Sequence, residues 1–121
     1  MKITEKHIRE YTNGHCWALA LVLNDKIGWK IATTDQHAFV VKGKWALDIE
    51  GKRTVKKVIA QWRSREEEKP RIWNTPKGRQ ELYEWSDWSH RPDWNAVHMI
   101  AEQLILNMEE EGSAAKSQAT P

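Results

Sequence analysis

A chain of 121 residues is long enough for one domain with a modest core. Its 19 Lys and Arg against 17 Asp and Glu leave a net charge of +2, too small to argue for nucleic acid by itself. No run nears the ~20 apolar residues of a membrane span, so a folded soluble protein is expected. Met1–Lys6 has no apolar leader, and a single cysteine cannot close an internal disulfide, so the reading is cytoplasmic.

Residues 3–11 read equally as a short helix or an extended lead-in. Asn13-Gly14 is a turn. From His15 to about Leu23 the chain is apolar all round, which predicts a buried helix, with Asn24-Asp25 as its break and Gly28 as a stop. Residues 29–33 read as a strand, and 37–41 and 44–49 as two more around Lys42-Gly43, with Gly51 closing the third. Thr54 caps a helix whose stripe is Val55, Val58, Ile59 and Trp62. Residues 66–76 form a charged connection, and 77–88 a helix of about two turns around Leu82 and Trp85. Asp93 caps a last helix with Val97, Ile100, Ala101, Leu104, Ile105 and Met108 inside. The layout is α+β: one catalytic-type domain over 1–111 and a disordered tail over 112–121.

Cys16 stands where a glycine-led turn feeds the buried helix, and the first turn of a helix favours a thiolate. If Val41 and Lys44 close the hairpin, His37 lies directly opposite Asp48, with Cβ atoms roughly 4.5–5.5 Å apart on one sheet face. A slip of one residue would send them to opposite faces. Cys16 is then a nucleophile, His37 a general base and acid, and Asp48 the group that orients the imidazole. The Cys16 N–H is the first oxyanion donor, and a side chain just upstream the second: Asn13 first, then His15 or Tyr11. Plainer readings stand beside these. A lone Cys in an apolar helix is commonly packing, Asn13 a helix cap, and Asp48 a turn residue.

Eight tryptophans read mainly as core volume, with one or two near the cleft. The basic stretch from Lys52 to Arg71 reads as a solvated helix face, so nucleic acid is not an expected partner. His98 and Glu102, with Asp87 and His90 near in sequence, could be drawn as a zinc site. No metal-binding spacing supports it, and neither metal nor cofactor is expected.

Three blocks, Asn13-Gly14-His15-Cys16-Trp17-Ala18-Leu19-Ala20, Gln36-His37-Ala38-Phe39-Val40-Val41 and Trp45-Ala46-Leu47-Asp48-Ile49-Glu50-Gly51, resemble the papain-like/transglutaminase-like superfamily of cysteine enzymes. They look especially like small uncharacterised proteins of phages and bacteria. The resemblance covers about residues 11–51. It implies a papain-like minimal core, a buried N-terminal helix on a small antiparallel sheet, with additional C-terminal helices. It also implies a Cys16-His37-Asp48 triad that hydrolyses or transfers acyl groups of a peptide, protein or small amide or ester through a thioester, in the host cytoplasm if phage-encoded. The short Cys16-to-His37 spacing implies that large substrate-binding segments are missing. The rival expectation is a non-catalytic module whose Trp-rich, basic surface binds a protein or nucleic acid.

Overall fold

Thr4 opens the first helix. In the computed structural model, α1 (Glu5–Thr12) starts with a reciprocal cap. The His7 N–H donates to Thr4 Oγ1 at 3.4 Å, and the Thr4 N–H donates to His7 Nδ1 at 3.1 Å, histidine standing where a capping box usually has Glu or Gln. The structure describes residues 1–12, 14–34, 36–62, 71–72, 76–89 and 91–119, excepting the side chains of 76, 85–89 and 112–119.

The apolar run becomes α2 (Cys16–Ile27), which buries Ala18 through Leu23 without interruption. Asn24-Asp25 does not break it, because the backbone ladder tolerates both residues near a helix end. The stop is Gly28, left-handed at φ 73°, whose N–H donates to Asn24 O at 2.9 Å. Asn24 turns its amide outward to cap the next segment, donating from Nδ2 to Trp29 O.

The sheet is a five-stranded antiparallel layer in the order β4-β3-β2-β1-β5. Its strands are β1 (Lys30–Thr33), β2 (Ala38–Lys42), β3 (Trp45–Asp48), β4 (Gly51–Thr54) and β5 (Arg71–Ile72). Arg71-Ile72 falls within the connection expected over residues 66–76 yet pairs with β1, and two further features differ from the sequence reading. Gly51-Lys52-Arg53-Thr54 forms an edge strand although it has no apolar alternation, because its main chain completes the ladder on β3. Lys42 faces Trp45, so the hairpin loop is Gly43-Lys44, and facing positions move by two residues from the expected register. Gly43, at φ 60°, takes the first loop position, where two-residue hairpin loops need a left-handed residue.

Alternation along the strands sorts the core into two layers. Ile31, Ala38, Val40 and Leu47 pack beneath α2 with Leu82 of α4 (Pro76–Ser89) and Val97, Ile100, Ala101 and Leu104 of α5 (Trp94–Ala119). Ala32, Phe39 and Ala46 pack on the opposite face against Val58 of α3 (Val55–Trp62). Thr54 Oγ1 accepts the Lys57 N–H, and Asp93 Oδ1 accepts the Ala96 N–H, so both expected caps form. Helix α5 runs on to Ala119, through Gly112 and the Ala-rich stretch that follows, where the sequence reading places a tail.

No tryptophan whose side chain is described is core volume. Among the described side chains, Trp17, Trp29, Trp62 and Trp94 are half-buried against the core edges, and Trp45 is exposed. Aliphatic side chains fill the interior around Tyr11 and Phe39, and the bulky indoles rim it. Trp73, Trp85 and Trp88 lie outside the described side chains. No helix among the described residues is long and apolar enough to cross a membrane.

Candidate active site

Thr34 sets His37 in place. Its Oγ1 accepts the N–H groups of Gln36 at 3.2 Å and His37 at 3.1 Å, and donates to the carbonyl of Trp62 at 2.9 Å. The Thr34 N–H also donates to His37 O at 2.9 Å. One threonine thus fixes the turn into β2 and ties it to the last residue of α3. Trp62 in turn lays its ring on the imidazole, centroids 4.7 Å apart and planes 24° from parallel.

The shifted register keeps His37 and Asp48 on one face because the shift is even. Continuing the β2–β3 ladder puts Asp48 opposite Phe39, so His37 is its diagonal rather than its direct neighbour. The side chains span that diagonal, with His37 Nε2 and Asp48 Oδ2 2.9 Å apart. Asp48 also shapes the β3–β4 turn, accepting the Glu50 N–H on Oδ1 at 2.9 Å. The orienting and turn-forming readings of Asp48 are compatible, since one oxygen serves each.

Arg53 is the residue that sequence reasoning missed. Its Nη2 donates to Asp48 Oδ2 at 2.9 Å and Oδ1 at 3.2 Å, and lies 3.0 Å from Glu50 Oε2. Its Nη1 donates to Gln61 Oε1 at 2.6 Å. A buried carboxylate needs such a partner. Nothing in the sequence marked Arg53 out, because its strand was not expected.

Cys16 occupies the first position of α2, after Gly14 at φ 128° turns the chain out of α1. Its N-cap, His15, makes no side-chain capping bond, so the first N–H groups of the helix are not capped by that ring. Burial pulls the His37 pKa down, but the Asp48 hydrogen bond and the interaction with Cys16 outweigh it, and the pKa is pushed up to about 9. Asp48 occupies Nε2. Nδ1 has no hydrogen bond among the described residues.

Of the expected oxyanion donors, Asn13 lies outside the described residues. His15 is half-buried, its Nδ1 3.4 Å from Glu10 Oε1, which draws the ring toward α1. Tyr11 is buried beside it, with ring centroids 5.9 Å apart. Burial, with Glu10 and Asp93, pushes its hydroxyl up to about 12, so it stays a proton donor. No group of His, Cys, Asp and Glu among the described residues could hold a metal ion; His90 and the Asp87 side chain lie outside them.

Cys16, His37 and Asp48 are all buried, at 4, 1 and 2% exposure. A cavity of about 440 Å³ between α2, α4 and α5 and another of about 290 Å³ at the β2–β3 turn lie elsewhere, and none of the three lines either. Compared with family models, curated proteins and solved structures, the chain matches none.

Proposed function

We propose that the protein is a cysteine-dependent hydrolase or acyltransferase. The observation that carries this reading is the buried His37 imidazole held by Asp48 on Nε2 at 2.9 Å, together with a buried Cys16 at the first position of α2. In this reading His37 takes the proton of the Cys16 thiol as the sulfur attacks. The sulfur attacks the carbonyl carbon of an amide or ester, and the oxyanion meets the Cys16 N–H at the start of α2. His37 gives its proton to the departing amine or alcohol, leaving a thioester on Cys16. The neutral imidazole then takes a proton from water, or from an acceptor amine, whose oxygen or nitrogen attacks the thioester carbon; the C–S bond breaks, the product acid or amide leaves, and the proton returns from His37 to the Cys16 sulfur. Asp48 holds the ring throughout, and Arg53 keeps Asp48 oriented.

Intact-mass analysis after incubation with a panel of acyl esters and amides tests it. A covalent acyl mass on the chain, absent from Cys16→Ser and lost on hydroxylamine treatment, is expected. No adduct from any member, with the fold intact, would refute the proposal. A second reading, a non-catalytic binding module, is favoured by the burial of all three side chains. It expects that absence of adducts.

A further inference from the structure

One end of the sheet gathers cations around exposed indole. Lys42 and Trp45 face each other at the hairpin tip, and Thr54 follows on β4. Continuing the β1–β2 ladder one step sets Trp29 opposite Lys42, so Trp29, Lys42 and Trp45 form a row on one face, adjacent strands about 4.8 Å apart. Lys52, which pairs with Leu47, is the diagonal neighbour of Trp45 on that face. The ammonium groups of Lys52 and Lys44 stand 4.6 and 5.1 Å from the Trp45 ring centroid. Lys30 adds a further exposed cation at the rim. A cavity of about 290 Å³ opens beside them, lined by Trp29, Lys30, Lys42 and the left-handed glycines Gly28 and Gly43.

Among the described residues, none of Lys30, Lys42, Lys44 and Lys52 makes an ion pair, whereas Lys26, Arg53 and Arg79 each do. Helix α5 packs on β4 and carries Glu109, Glu110 and Glu111, yet none of these pairs with the four. Two ammonium groups drawn to one ring without a carboxylate call for an anionic ligand. The flat, exposed indole beside them calls for one with a planar group.

We propose that this end of the sheet binds single-stranded nucleic acid, with Lys42, Lys44 and Lys52 on phosphates, Trp45 stacking on a base and Lys30 at the rim. The surface is separate from the Cys16 site and does not depend on its chemistry. Aromatic side chains set among lysines are the usual means of holding a single strand without reading its sequence.

Fluorescence anisotropy of a labelled oligothymidylate of about 12 nucleotides, titrated with the full chain, tests it. Binding at low salt is expected, with log K falling against log salt with a slope of about −2 to −3 for three or four phosphate contacts. The triple variant Lys42→Glu, Lys44→Glu, Lys52→Glu should weaken binding by roughly tenfold or more. Trp45→Ala should weaken it roughly fivefold or more while leaving the salt slope unchanged. No anisotropy rise at low salt, or equal binding by these folded variants, overturns the proposal. So does polyglutamate competing as well as the oligonucleotide per charge, which would assign the surface to an acidic protein.

Discussion

Replacing Asp48 by asparagine keeps the shape of the side chain and removes its charge. The gap between an ordinary histidine at 6.5 and His37 at about 9 corresponds to about 3 kcal/mol in favour of the folded imidazolium. Burial works against that figure, so Asp48 and Cys16 together supply more than it, the Asp48 hydrogen bond being the largest single favourable contribution. Asp48→Asn should therefore lower the His37 midpoint, read from the pH titration of its ring protons by NMR. The sign for stability follows. Because the folded pKa lies above the unfolded one, the contribution of His37 is complete below about pH 6.5 and fades as pH rises through about 9. Urea unfolding of the wild type should lose on the order of 3 kcal/mol from this group between pH 6 and 9.5, and the variant distinctly less. Asp48→Asn should itself cost about 2–4 kcal/mol at pH 6, since Arg53 loses its closest anion. A His37 midpoint that stays near 9 in the folded variant would refute the reasoning.

Arg53→Met leaves the buried Asp48 carboxylate without its cation and should cost about 1–3 kcal/mol in urea unfolding, with Arg53→Lys recovering part of it. Thr34→Val removes the acceptor of two N–H groups and the bond to Trp62 O. It should destabilise by about 1–3 kcal/mol and broaden the His37 ring resonances as the turn loosens. Leu23→Ala, at a fully buried position on α2, should cost about 2–5 kcal/mol, measured by thermal or urea unfolding.

What the sequence made legible was periodicity and parity. An all-round apolar run specified the central helix and placed Cys16 at its start. The pairing of His37 with Asp48 survived a misplaced hairpin loop because sheet faces repeat every two residues, so a shift of two turned a direct neighbour into a diagonal one. Edge pairing was not legible. Gly51-Lys52-Arg53-Thr54 is polar throughout and becomes a strand only through main-chain bonds to β3, which hid Arg53 and its hold on Asp48. Trp62 fitted the apolar stripe of α3, and nothing local said that its ring would cover an imidazole. The indoles misled for a related reason. A tryptophan at an apolar position suggests volume inside, yet five of them take the rim, where one side of the ring packs and the other meets water.

The most direct test of the central claim is the pH profile of iodoacetamide alkylation at Cys16 in the folded wild type, in His37→Ala and in Asp48→Asn. A rate at pH 6 many times that of an unfolded thiol is expected, abolished in His37→Ala and reduced in Asp48→Asn. A folded wild type that reacts no faster than the unfolded chain, or equally fast in all three proteins, would contradict it.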